Sequence, residues 1–498
     1  MMPKTHKTKM LEPLNPVAAQ PRPSRWAVAA LHFALSLILT MPALAETRSV
    51  SKPNIVIILI DDMGYADIGP FGATKQKTPN LDRMASEGMK LTSFYAAPVC
   101  SVSRAQLLTG CYGARIDVPG VYGPGGARGL NPSEHTIAER LKEHGYATMC
   151  IGKWHVGDQP EFLPTRQGFD HYFGFPYSND MQRKSAVTGE PVMPLLRDEK
   201  VMELLSDDQQ SSIVKRYTDE AVRFITENRD KPFFLYLPHT AIHTPIHPAE
   251  AFRGKSGNGQ VGDWIEEIDW STGCVLDTLR ELRLAENTLV VFTSDNGPWL
   301  VKGTDSGRAG PLRGGKGSTW EGGMREPTIA WWPGKIAPGT TVDAITGTID
   351  LLPTAVSLAG GALPEQPVID GRDISPLLLG KTTVSPRGVQ YYFAGYQLQA
   401  VRKGPWKLAI APQKETMGRQ ALPDANTREP RLYNLDQEIG EKTNLAASHP
   451  EIVKELHSLG EKMMAEIGGE NPPGRRPSGK VDHPVMLYPS SGRDKKPK

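Results

Sequence analysis

Uninterrupted apolar runs alternate along this chain with segments whose apolar residues recur every three to four positions. The run Asn54–Ile60 is continuous and β-branched, the pattern of a strand buried on both faces. Comparable runs stand at 147–151, 232–237, 288–293 and 328–332. Helical periodicity predicts helices at 78–88, 133–144, 211–228 and 261–282, with Thr78 as a cap and Gly88 and Gly145 as stops. A shorter helix is expected to start near 101–103 and run through the apolar residues at 105–108. Residues 162–205 show no period and predict irregular structure, and 303–323 reads as a glycine-rich loop. Strands alternating with helices indicate an α/β fold with a large, mostly parallel sheet.

The pattern changes after about residue 370. Short runs at 389–393, 399–402, 406–410 and 431–434 predict a smaller antiparallel sheet, and Pro450–Ile467 one closing helix. From residue 468 the chain is rich in Pro, Gly, Lys and Arg and predicts a disordered tail. The expected layout is an α/β domain over 52–370, a sheet-plus-helix subdomain over 371–467 and a tail over 468–498.

The N-terminus predicts an export signal. Lys4, Lys7, Lys9, Arg22 and Arg25 precede an apolar stretch that ends in Ala43-Leu44-Ala45, a small-x-small cleavage pattern. Cleavage after Ala45 would remove residues 1–45 and give a periplasmic or secreted product; the alternative is an uncleaved anchor. No other segment is apolar enough to span a membrane, so no stable insertion is expected after cleavage. The net charge of +2, from 57 basic and 55 acidic residues, gives no reason to expect a nucleic-acid partner. Cys100, Cys111, Cys150 and Cys274 have no Cys-x-x-Cys spacing, which argues against a paired-thiolate metal site and excludes a dense disulfide framework.

The buried runs end in polar residues: Asp61-Asp62, Lys153 with His155, His239 with His243 soon after, and Asp295-Asn296. In parallel sheets ligands bind beyond the carboxyl ends of the strands, so these residues are expected to converge on one crevice. Asp61, Asp62, Asp295 and Asn296 form a hard oxygen set, and three crowded carboxylates call for a cation. Oxygen donors suit Ca²⁺ or Mg²⁺ rather than zinc and do not by themselves choose between those two. Lys153 and His155, two apart in extended chain, project to one face.

Residues 97–110 pair Cys100 with Arg104 at a helix start, a candidate nucleophile beside a guanidinium that binds oxyanions. This stretch resembles the sulfatase signature Cys-x-Pro-Ser-Arg followed by an apolar pair and Thr-Gly. Cys100, Ser103, Arg104, Leu107, Leu108, Thr109 and Gly110 fit it, and Val102 stands where the family has Pro or Ala. Residues 145–155 resemble the second sulfatase signature, 242–245 the family's His before Pro, and 312–327 its Lys loop. The resemblance covers roughly 52–445 and is nearest the arylsulfatase A and N-acetylgalactosamine-6-sulfatase type.

The resemblance implies an alkaline-phosphatase-like sandwich and a sulfuric ester hydrolase. It implies that a separate maturation enzyme oxidises Cys100 to formylglycine, whose hydrate is the nucleophile. One Ca²⁺ would sit on Asp61, Asp62, Asp295, Asn296 and residue 100. Arg104, Lys153 and Lys316 would neutralise the sulfate, with Asp295 activating the nucleophile. His243 or Lys316 would protonate the leaving group, and His155 would drive sulfate release. Ser178 sits where some arylsulfatases place a substrate-binding serine, and His239, His247 and Arg313 are expected in supporting or purely structural roles. Sulfated carbohydrates or aryl sulfates are the implied substrates. Two other readings stand beside this one: a phosphomonoesterase or phosphodiesterase of the same fold, and an unconverted binder of sulfated glycans.

Overall fold

A computed structural model describes residues 52–490. The export signal expected at 1–45 and the last eight residues of the tail lie outside the described residues. Asn54–Ile60 occupies the middle of a twelve-stranded sheet. It pairs in parallel with Phe233–Pro238 on one side and Thr288–Ser294 on the other. Ala147–Ile151 and then His171–Gly174 extend the parallel part beyond Phe233–Pro238. Every residue of the three central strands is buried, which is why their sequences show no alternation.

Side chains of a strand alternate between faces, and the two layers divide accordingly. Ile55, Ile57 and Leu59 pack with Leu107, Leu108, Ile137, Leu141 and Leu352. Val56, Ile58 and Ile60 pack with Leu81, Tyr217, Ile225, Trp264 and Ile268 on the opposite face. The second sheet is antiparallel, in the order Val389–Ala394, Gln397–Lys403, Trp406–Ala409, Arg431–Asn434. Leu456 and Ile467 of the helix Pro450–Ile467 close its apolar face against Leu398, Val401, Leu408 and Leu432.

Several boundaries differ from expectation. The stretch expected to be irregular holds His171–Gly174, Pro191–Arg197 and Lys200–Leu205. The last two form antiparallel strands at one side of the sheet, where Pro194, Lys200 and Glu203 interrupt any apolar pattern. Met89–Tyr95 is an unforeseen strand between Arg325–Trp331 and Thr340–Val342. The helix expected at 133–144 begins at Ile137, because Thr136 and Glu139 form a reciprocal capping box. The tail is the largest difference. Its residues up to Ser490 are laid on the α/β layer, and Gly479–Lys480 pairs with Arg128–Gly129. Composition alone could not foresee that Arg475 and Arg476 find buried carbonyl and carboxylate partners there.

Candidate active site

Strand register brings the polar residues to one level. Ile60 lies beside Ser294 and Leu59 beside Pro238, so Asp61, Asp295 and His239 leave the sheet together. Lys153 follows Ile151 after Gly152, whose backbone passes so near the Pro238 carbonyl that an added Cβ would lie 1.9 Å from its oxygen. The helix Cys100–Thr109 begins at Cys100 itself, one residue earlier than expected, and is buried throughout. Ser103 holds the approach to this helix, its Oγ accepting the Ala97 N–H at 2.8 Å and donating to the Ala97 carbonyl at 3.0 Å.

Around Cys100 the site is a buried lattice of opposite charges. Arg104 donates through Nε (3.1 Å) and Nη2 (2.8 Å) to Asp295 Oδ2, and through Nη1 to the Lys153 carbonyl at 2.5 Å. Its Nη2 also stands 3.7 Å from Asp61. The Lys153 ammonium donates to Asp61 Oδ2 and, at 3.1 Å, to Ser178 Oγ. Lys316 lies 2.7 Å from Asp62 Oδ1 and 2.9 Å from Oδ2. Asn296 Nδ2 donates to Asp62 Oδ1 at 2.7 Å, and the Asp62 N–H approaches Asp295 Oδ1 at 3.3 Å. Cys100 Sγ is 3.5 Å from Asp61 Oδ1.

One atom of each of Asp61, Asp62, Cys100 and His243 falls within a 4.8 Å group, a cluster able to hold a metal ion. Asp295 and Asn296 border it through their bonds to Asp62, while His243 enters it without having been expected among the ligands. Asn296 Oδ1 is buried with no partner, a further oxygen left for a cation.

The two histidines present different nitrogens. His155 Nε2 lies 3.0 Å from the Tyr122 carbonyl, which can only accept, so Nε2 carries the proton and the buried Nδ1 is left as an unpaired base. His243 Nδ1 faces the Thr244 carbonyl at 2.6 Å, so its Nε2, 3.7 Å from Asp62, carries the lone pair. Burial, with Lys153 beside His155 and Lys316 beside His243, pulls both below the ordinary imidazole range. Burial opposes the charge of Asp61, yet Lys153 and Arg104 hold it well below the usual carboxylate range. Lys316 likewise keeps its proton against burial because Asp62 faces it. Burial and the neighbouring Asp61 push Asp295 up to about 7. Burial, reinforced by Asp61, pushes the Cys100 thiol far above the thiol range.

His239 stands apart from the charged lattice, 3.4 Å from Ser271 Oγ. Burial brings it down from 6.5 to about 3. Between those values the unfolded chain binds a proton that the native state does not. Its contribution to stability is therefore full above about pH 6.5 and falls as the pH drops toward 3. At pH 5 the loss is about 2 kcal/mol. We expect His239→Gln to flatten the pH dependence of the urea midpoint between pH 7 and 5 by that amount; equal slopes in variant and wild type would refute it.

Every residue expected at the site except His155, His239 and the supporting pair His247 and Arg313 is joined in this constellation; His155 lies within the electrostatic reach of Lys153, Arg104 and Asp61. Arg313 instead reaches Glu415 and Asp424 of the C-terminal region. His247 pairs with Asp207 at 3.3 Å. Two residues beside the site were not foreseen: Tyr122, through its carbonyl, and Trp299. The Trp299 ring lies 5.7 Å from that of His243 and 4.8 Å from Lys316 Nζ. Its position three residues past Asn296 was the available signal.

Residues 53–362 match the sulfatase family, and residues 385–473 match the C-terminal region of aryl-sulfatase. The chain belongs to the sulfatase family, and the architecture is that of the alkaline-phosphatase-like fold. The sequence is 36% identical over 473 residues to N-acetylgalactosamine-6-sulfatase of Canis lupus familiaris, covering 86% of this chain and 89% of that one. It is 38% identical over 459 residues to arylsulfatase A of Homo sapiens, covering 84% and 89%. The crystal structure of PsFucS1 sulfatase from Pseudoalteromonas sp. superposes with a TM-score of 0.75 at 30% identity, covering 89% of this chain and 94% of that one. The protein is a sulfatase, an enzyme that hydrolyses sulfate esters.

Proposed function

We propose that this sulfatase acts on sulfate monoesters of carbohydrates, with Cys100 converted to formylglycine and one Ca²⁺ held by Asp61, Asp62, Asp295, Asn296 and residue 100. The observation that carries the reading is the state of Cys100. Its thiol lies 3.5 Å from Asp61, in a group with Asp62 and His243 able to hold a metal ion, and burial with Asp61 pushes it above the thiol range, so the unmodified residue is a poor nucleophile at its own site. Conversion by a maturation enzyme replaces it: a hydrated aldehyde carries two hydroxyls, one to attack sulfur and one to expel sulfate afterwards. A bound Ca²⁺ would neutralise the crowded carboxylates, polarise the sulfate and weaken the hold of Asp62 on the Lys316 proton.

The chain's own groups fit the remaining tasks. Arg104, Lys153 and Lys316 offer positive charge where the sulfate oxygens would lie. Asp295, held by Arg104 and facing the Asp62 N–H, is the carboxylate that would take a proton from the attacking hydroxyl. Lys316 holds a proton to give the leaving alkoxide, whereas His243 presents a lone pair at Nε2. His155 Nδ1, unpaired and neutral, is suited to removing the second proton. Ser178, which accepts from Lys153 at 3.1 Å and lies 3.5 Å from the His243 ring, would meet the substrate beside them. A carbohydrate substrate is supported by the relative named for N-acetylgalactosamine-6-sulfate hydrolysis, and export by the N-terminal pattern at 1–45.

Two measurements test the reading. The tryptic peptide Leu91–Arg104 from active enzyme should be lighter than its unmodified mass by about 18 Da, the change from thiol to aldehyde. An unmodified thiol in fully active protein would overturn the proposal. Ca²⁺ at a hundredfold excess over its Kd should add about 2.7 kcal/mol of stability, lost on chelation and in Asp62→Asn. A thermal midpoint indifferent to Ca²⁺ would remove the metal from the mechanism. Aryl phosphate hydrolysed faster than aryl sulfate would favour the phosphatase alternative.

A further inference from the structure

The chain past the last helix does not leave the molecule. Arg476 makes two bonds to Glu134, at 2.7 and 2.8 Å. Gly479–Lys480 then pairs with Arg128–Gly129, and the Val481 N–H reaches the Ala127 carbonyl at 2.9 Å. Both backbone groups of Val485 are taken by the buried Gln159 side chain, at 2.8 and 3.0 Å. Met486 lies on Gly125, where an added Cβ would come 2.5 Å from its sulfur. The Tyr488 hydroxyl and the Pro489 carbonyl fasten the far end to Val192 and Ala186. All of this lies beyond residue 473, where the matched C-terminal region ends.

The segments under this strap are those that set His155. Its hydrogen-bond partner Tyr122 begins the 122–129 loop, and its own chain runs on to Asp158 and Gln159. Asp158 Oδ2 accepts the Gly125 N–H at 2.6 Å, and Leu130 N–H bonds the Val156 carbonyl at 2.8 Å. The strap thus grips both sides of the bond between His155 and Tyr122. His155 has a backbone φ of 62°, the left-handed region that a side chain adopts only when its surroundings impose it.

We propose that residues 478–490 are a positioning strap for His155, holding its tautomer and direction through Gln159 and the 122–129 loop. The inference rests on the reading of His155 as the base of the sulfate-releasing half of the reaction. Loss of the strap should slow that half and spare the first.

The test uses the chain ended at Pro477, which keeps Arg475 and Arg476, and the full chain carrying Gln159→Leu. With a chromogenic aryl sulfate, each should release about one equivalent of phenol per site in a burst, then turn over at least about tenfold slower than wild type without a raised KM. Amide exchange at Gly125 and Leu130 should quicken while the central strand Asn54–Ile60 stays protected. Steady turnover within twofold of wild type, or a burst that shrinks in step with the rate, would overturn the proposal. His155→Ala in the full chain separates the two readings. If it shows no burst, the role of His155 fails and the proposal with it. If it shows the burst and the strap variants do not, the strap alone fails.

Discussion

Cys100→Ser should end turnover and leave a stable sulfate ester at position 100. A serine hydroxyl fits where the thiol lies 3.5 Å from Asp61, and Arg104, Lys153, Lys316 and Asp295 are untouched. The first displacement at sulfur therefore remains available. A single hydroxyl, once esterified, has no second proton for His155 to remove, and the sulfate stays. Intact-mass measurement after incubation with substrate should show an increase of roughly 80 Da, as expected when the second step of covalent catalysis is blocked. Cys100→Ala should be equally inactive but gain no mass, and both should melt close to wild type, since neither creates a large cavity. Sustained turnover by the serine variant at the wild-type rate would refute a two-hydroxyl nucleophile and favour the phosphatase-like alternative. Val102 bears on the same residue. It follows Cys100 by two in the helix and is buried against Gly113, where an added Cβ would come 2.5 Å from its Cγ1. An active, converted wild type would show that a β-branched residue is tolerated there during maturation.

Much of this site was legible because strands buried on both faces announce themselves. The runs at Asn54–Ile60, Phe233–Pro238 and Thr288–Ser294 are apolar without alternation, and each stops where the chain delivers Asp61, His239 and Asp295 to one end of the sheet. The pattern of the sequence therefore places Asp61, Asp295 and His239 together, as the strand register does. Lys316 was legible for another reason: glycines on both sides of a lone lysine mark a close backbone approach. Gly317 has a φ of 81° and hands its N–H to the Pro98 carbonyl at 2.7 Å, just before the nucleophile helix.

What stayed hidden depends on partners distant in sequence. The strand Met89–Tyr95 carries Lys90, Thr92 and Ser93, and its neighbours Arg325–Trp331 and Thr340–Val342, far along the chain, make it a strand. The Tyr122 carbonyl orients His155 through the backbone, which no residue type advertises. His243 joins the metal cluster because its Nδ1 is occupied by the adjacent Thr244 carbonyl, leaving Nε2 free toward Asp62. The tail differs from expectation because Pro, Gly and basic residues are equally the composition of a disordered segment and of an irregular strap. The difference lies in Glu134, Asp117 and Gln159, more than 300 residues earlier, which receive it.

Arg104→Met should cost more than any other single change at the site and should separate the two tasks of this residue. The guanidinium is wholly buried and binds Asp295 twice, approaches Asp61 and caps the Lys153 carbonyl. Methionine fills similar space but leaves Asp295 without its nearest cation, Asp61 with Lys153 but without the guanidinium, and the Lys153 carbonyl without that donor. Removing one member of a buried ion pair typically costs about 3–5 kcal/mol, because the other is stranded. Activity should fall by at least about a hundredfold, the scale of losing one preorganised donor to a developing oxyanion. Arg104→Lys is no conservative rescue: an ammonium cannot reach Asp295 and the Lys153 carbonyl together in the fork that a guanidinium provides. The decisive variant is the double one, Arg104→Met with Asp295→Asn. If Arg104 stabilises the fold as the counter-ion of Asp295, the double variant should recover part of the stability lost in the single one, a coupling readable as a non-additive shift of the urea midpoint. Activity should not return, since the sulfate loses a cation and the attacking hydroxyl its base. A double variant whose stability loss is the plain sum of the two single losses would show that the pair is not coupled. An Arg104→Met enzyme with near wild-type turnover would remove the guanidinium from catalysis.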